Sequence, residues 1–127
     1  MKSTAWRVLF ASLPLIFAAG CDNTKSLPGN YQLERWEDNK TYYLHGPSHV
    51  AEQGGGLIEG TVLRLAWNDE MIGVERYATF RGDRDGWMVI DIKSGHISGP
   101  VSGAEFETIR NRYRLQVQTA SVAWDKL

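Results

Sequence analysis

Trp87-Met88-Val89-Ile90-Asp91-Ile92 is the most strand-like run in the 127-residue chain, and the architecture hinges on it. Near-continuous hydrophobicity with β-branched members predicts a central strand buried on both faces, and Gly86 and Lys93-Ser94-Gly95 bound it with turn chemistry. His96-Ile97-Ser98 then pairs back across that turn, and Gly99-Pro100 ends the sheet. Upstream, Leu57 to Trp67 alternates apolar and polar residues, Asn68-Asp69-Glu70 turns the chain, and Met71 to Tyr77 returns, which predicts a hairpin. A preceding hairpin is expected from Tyr31 to Trp36 and Thr41 to Leu44, joined by Glu37-Asp38-Asn39-Lys40. Asp83-Arg84-Asp85-Gly86 has the opening carboxylates of a calcium loop but no distal glutamate at the required spacing, so a tight turn accounts for it better.

Downstream of the sheet, Ser102-Gly103-Ala104-Glu105 has the spacing of a capping box, in which hydroxyl and carboxylate satisfy the open amides of a helix start. Phe106, Ile109 and Tyr113 fall on one helical stripe, and Glu107, Arg110, Arg112 and Arg114 lie mostly off it, so one helix packs on the sheet. The tail stays open between two states. Leu115, Val117 and Thr119 alternate as in a strand, whereas Ser121 to Leu127 fits a final helical turn with Trp124 inward. The expected class is α+β, a mainly antiparallel meander of five to seven strands with one short helix near the C-terminus, spanning residues 31–127 as a single small domain.

The other end of the chain carries a targeting pattern. Lys2 and Arg7 precede the apolar run Val8 to Ala19, which closes on Ala18, Ala19 and Gly20 as a secretory signal does over residues 1–20. A retained membrane span fits less well, because crossing the hydrocarbon core takes about 20 apolar residues. Ala18-Ala19-Gly20-Cys21 resembles the lipobox of bacterial lipoproteins. That resemblance implies a lipidated Cys21 as the first mature residue and a chain anchored in the cell envelope, facing the periplasm. Cys21 is the only cysteine in the chain, so lipidation also explains a thiol that has no disulfide partner. Asp22 resembles the sorting residue that keeps lipoproteins in the inner membrane. Residues 21–30 are polar and contain Pro28 and Gly29, so they read as a lipidated N-terminus and flexible tether reaching ~30 Å at ~3.3–3.6 Å per residue.

Charge narrows the function. Export removes Lys2 and Arg7, so fourteen basic residues fall to twelve against fifteen acidic ones, leaving a net charge near −3. A mildly acidic envelope domain has no basic face for nucleic acid. His45, His49 and Glu52 have a spacing that invites zinc, but Gly46 and Pro47 interrupt any helix that would align the histidines, so exposed loop residues are the better account. No serine sits in a nucleophile elbow, and paired carboxylates such as Glu34 with Glu37 fall in turns and exposed faces. Neither a catalytic centre nor a cofactor or metal site is expected.

The composition resembles, in a general way, small envelope lipoproteins that neutralise a toxin or enzyme or serve as accessory subunits. The functional expectation is therefore a non-enzymatic protein-binding module with the membrane and an envelope protein as partners. A cell-wall glycan or peptide module is the alternative, and a small metal-dependent hydrolase using loop histidines is a third. Tyr42, Tyr43, His45, His49 and Trp67 are the candidate partner- or ligand-binding residues.

Overall fold

A computed structural model describes residues 23–47, 56–80 and 82–127. Its organising unit is the hairpin of β4 (Thr61–Trp67) and β5 (Met71–Tyr77). The Asn68 side-chain oxygen accepts the amides of Glu70 and Met71 at 2.8 and 2.9 Å, which is how an asparagine fixes a tight turn. β6 (Gly86–Asp91) adds to β5, and β7 (Ile97–Val101) adds to β6. The two-residue strand β8 (Gln118–Thr119) closes the far edge, giving a five-stranded antiparallel sheet in the order β7-β6-β5-β4-β8. The strand-like run at residues 87–92 is thus an interior strand with both faces buried, while β5 holds the middle place. β7 continues through Gly99 and Pro100 instead of stopping there, because an edge strand has ladder positions that need no amide donor.

A second, three-stranded sheet is built from β1 (Thr24–Ser26), β2 (Gln32–Arg35) and β3 (Tyr42–His45) in antiparallel order. β1 corrects the expectation of a flexible tether over residues 21–30. Thr24, Lys25 and Ser26 pair with Glu34, Leu33 and Gln32, and Leu27 is buried before a 3-10 turn at Pro28–Asn30. Three polar residues form a strand because β2 offers an open edge and Leu27 a core seat, neither of which is a local signal.

Alternation along the strands divides the core in two. Leu65, Ile72, Val74 and Ile90 face the three-stranded sheet and meet Leu33, Leu44, Tyr31 and Tyr42. Ala66, Met71, Trp87 and Val89 face the other way and meet α1 (Gly103–Tyr113) through Phe106. Phe106 stacks on Trp87 with centroids 3.8 Å apart and planes within 5°. It lies over Gly73, where an added Cβ would sit 2.6 Å from the Phe106 ring. The capping box forms as expected: Ser102 Oγ accepts the Glu105 amide at 3.1 Å, and the Glu105 carboxylate accepts from the Ser102 amide and hydroxyl. Asn68 Nδ2 donates to the Tyr113 carbonyl at 2.9 Å, tying the helix end to the β4–β5 turn.

The ambiguous tail takes both states. After β8 the chain enters α2 (Ala120–Lys126), capped by Thr119 and burying Ala120, Ala123 and Trp124 against the larger core. The Lys25 ammonium and the Arg35 guanidinium lie 4.8 and 4.7 Å from the Trp124 ring centre, and Lys25 donates to the Trp124 carbonyl at 2.8 Å. The fold is α+β and mostly strand, and the described residues form two sheets and a second short helix where one meander and one helix were expected.

Candidate binding surface

The helix α1 covers only part of its sheet face. A cross-strand row, Arg64 opposite Glu75, Glu75 opposite Trp87 and Trp87 opposite Val101, runs along the margin of that cover. Arg64 donates from Nε and Nη2 to the two Glu75 oxygens at 2.9 and 2.8 Å, a bidentate pair of the geometrically specific kind. The hydrogen bonds and charge of Glu75 raise the Arg64 pKa above its ordinary value and outweigh the opposing effect of burial. The guanidinium also lies 5.3 Å from the Trp87 ring centre, so two charges and an indole form one ordered strip.

Beyond the strip lies an open groove of about 540 Å³, between Leu63 and Glu75 on one side and Pro100 to Glu105 on the other. A bulge in β4 between Val62 and Arg64 creates its apolar lip: the extra residue, Leu63, leaves the ladder and stands 47% exposed. On the same face Tyr77, 57% exposed, ends β5. Single exposed apolar residues are ordinary, but a bulge-presented leucine beside a groove with a fixed ion pair has the composition of a contact surface.

Charged groups hold the groove end in shape. Arg76 is 8% exposed, and its guanidinium donates to the Arg84 carbonyl at 3.1 and 3.0 Å and to the Glu59 carbonyl at 3.2 Å. Asp85 accepts the Ala78 amide at 2.8 Å. Glu59 accepts the amides of Thr79 and Phe80, each at 3.0 Å, and the Thr79 hydroxyl. Burial by itself would raise the Glu59 carboxyl, but the hydrogen bonds from Thr79 and Phe80 outweigh it and hold the group below its ordinary value. The hydrogen-bonded turn lies just upstream of Asp83-Arg84-Asp85-Gly86, where the Asp83 amide donates to the Phe80 carbonyl at 3.2 Å, while tertiary bonds tie Arg84 and Asp85 to β5 and the segment after it and Gly86 opens β6.

The residues expected to bind a partner do not converge here. Tyr42, one of the candidate binding residues, is 4% exposed and packs against Trp124 with ring centres 6.1 Å apart, because inward alternation in β3 turns it to the core. Trp67 is half-buried against the same core. Tyr43 is half-buried on the other face of β3 and meets Trp36 edge-on at 5.8 Å. His45 Nε2 lies 3.0 Å from Glu34 Oε1 on the neighbouring strand. His49, Glu52, Cys21 and Asp22 lie outside the described residues, and among the described residues no group of three acidic, histidine or cysteine side chains is arranged to hold a metal ion. Sequence reasoning missed Leu63, Arg64, Glu75 and Arg76, for which the only local signal was the irregular alternation of Thr61-Val62-Leu63-Arg64-Leu65.

No protein-family model matches the chain, and comparison with curated proteins and with solved structures likewise returns no match. Among the described residues no helix is long and apolar enough to cross a membrane.

Proposed function

We propose that this chain is a lipid-anchored cell-envelope binding protein that presents the groove beside Arg64 and Glu75 to a polypeptide partner. The observation that carries the reading is the half-covered face of the five-stranded sheet, where an exposed Leu63 lines the groove with Glu75 of an ordered ion pair and an exposed Tyr77 ends β5. Protein interfaces combine apolar anchors with arginine and a polar rim in this way. The lipobox resemblance at Ala18 to Cys21 supports attachment to the membrane, and Asp22 supports inner-membrane retention facing the periplasm. A toxin-neutralising or accessory role fits a small tethered module whose binding surface lies on a rigid sheet.

The test uses the full-length tagged protein, extracted from envelopes in mild detergent. One stoichiometric protein partner is expected, lost at least tenfold in Leu63→Asp and Tyr77→Asp and retained in Ser94→Ala, a change in the β6–β7 turn. Retention on cell-wall glycan with no protein partner would instead support the glycan module. In fractionation, Cys21→Ala is expected to move the chain out of the membrane fraction, and persistence there would remove the lipid-anchor reading.

A further inference from the structure

We propose that the tip of the three-stranded sheet carrying Trp36 is a membrane-contacting surface, which docks on the zwitterionic interface of the bilayer holding the Cys21 lipid. The inference rests on the lipid-anchor reading and adds an orientation to it. Its first support is the place where the N-terminal segment enters the folded domain. Asn23 is hydrogen-bonded through its carbonyl to the Arg35 amide at 2.7 Å, so the chain leaves the domain beside the end of β2, one residue from Trp36. Because β1 is a paired strand, only Asp22 separates Cys21 from the folded domain. Two residues reach at most about 7 Å at ~3.3–3.6 Å each, compared with ~30 Å for the tether expected from sequence. A lipid on Cys21 therefore brings this end of the domain against the headgroups.

What stands at that end suits a headgroup layer. Trp36 is 54% exposed and is braced edge-on by Tyr43. Its position is fixed by the hairpin turn: the Trp36 amide donates to the Thr41 carbonyl at 2.8 Å, and the Trp36 carbonyl accepts the Asn39 amide at 2.9 Å. Asp38 closes the same turn by accepting the amides of Lys40 and Thr41, each at 2.9 Å. A shallow depression of about 350 Å³ lined by Asn23, Glu34, Arg35, Trp36 and Glu37 joins the indole to the point of chain exit. Amphipathic rings of tryptophan and tyrosine favour the membrane–water boundary, where one part is apolar and another is wet. Formal charge at this end is close to even, with Lys25, Arg35 and Lys40 against Asp22, Glu34, Glu37 and Asp38 for one net negative charge, which a layer of neutral zwitterionic headgroups does not repel. Tethering at so short a reach keeps the local concentration of the bilayer high, and a single exposed indole then suffices for persistent contact.

The experiment reconstitutes the full acylated chain in phosphatidylcholine vesicles carrying bromine near the headgroup end of the acyl chain, and reads tryptophan emission. The wild-type protein should be quenched, with its emission shifted to shorter wavelength relative to detergent-free lipid-less protein. Trp36→Phe should lose that quenching while keeping the wild-type far-ultraviolet circular dichroism. Ten Gly/Ser residues inserted between Asp22 and Asn23 should reduce the quenching while leaving the chain on the vesicles. Vesicle-bound protein with equal quenching in the wild type and Trp36→Phe overturns the membrane-contacting surface and leaves the lipid anchor intact. Failure of the wild-type chain to associate with vesicles or native membranes overturns both.

Discussion

The two faces of the five-stranded sheet are made from the same strands and finished in opposite ways. One face buries Leu65, Ile72, Val74 and Ile90 beneath a second sheet and the Trp124 helix. The other is closed by Phe106 around Gly73 and Val89, then opens at Arg64, Glu75, Leu63 and Tyr77. Stability is concentrated on the first face and the available chemistry on the second. A small domain with no disulfide cannot leave both faces open, because its modest burial leaves little stability in reserve.

The strongest way to break this contrast is Trp124→Ala. It removes the ring between β3 and the Lys25 and Arg35 cations and is expected to cost about 3–5 kcal/mol in urea unfolding, as for other buried tryptophans. Gly73→Val attacks the closed half of the helix face: the new side chain overlaps the Phe106 ring, and about 1–3 kcal/mol should be lost together with the near-ultraviolet signal of the Trp87–Phe106 stack. Ser102→Ala removes one half of the capping box and should cost about 1 kcal/mol, visible as faster amide exchange in the first turn of α1. Arg64→Ala lies on the open half and should change stability by less than about 1 kcal/mol, because exposed ion pairs contribute little, while weakening the recovered complex.

A pH titration sharpens the same comparison at its smallest scale. The Glu59 carboxyl is held below its ordinary value in the folded chain, so its contribution is present above the unfolded pKa near 4.3 and is lost as pH falls through the lower folded value. Between about pH 4.5 and pH 2, the Thr79 and Phe80 amide resonances should therefore move as Glu59 stops accepting from them, before resonances of Ile72 and Val74 in the core change. Simultaneous movement of both sets would show that the groove end and the core face are one unit, not two.

Elements specified by neighbours in the chain are legible in the residues themselves. The β2–β3 and β4–β5 hairpins, the Asn68 turn, the pairing of residues 96–98 back on the interior strand and the Ser102–Glu105 capping box all stand where local pattern places them. Local hydrogen bonds and alternation decide these features, and both are written in residues a few positions apart. The strand at Thr24–Ser26 is not legible in this way, since polar residues become a strand only when β2 offers its edge. The candidate site is hardly legible at all. Tyr42 and Trp67 look available in the sequence because alternation names two faces without saying which one a second sheet will cover.

The sequence by itself determined the strand-rich α+β class, the turn chemistry and the capped helix, because short-range sterics and hydrogen bonding act within each segment. Only the tertiary structure decided that Thr24–Ser26 pair with β2, that Arg64 and Glu75 form a bidentate pair beside an open groove, and that Arg76 binds the carbonyls of Glu59 and Arg84. Those outcomes depend on which surfaces meet after folding, and contacts between residues far apart in the chain leave no period in the sequence.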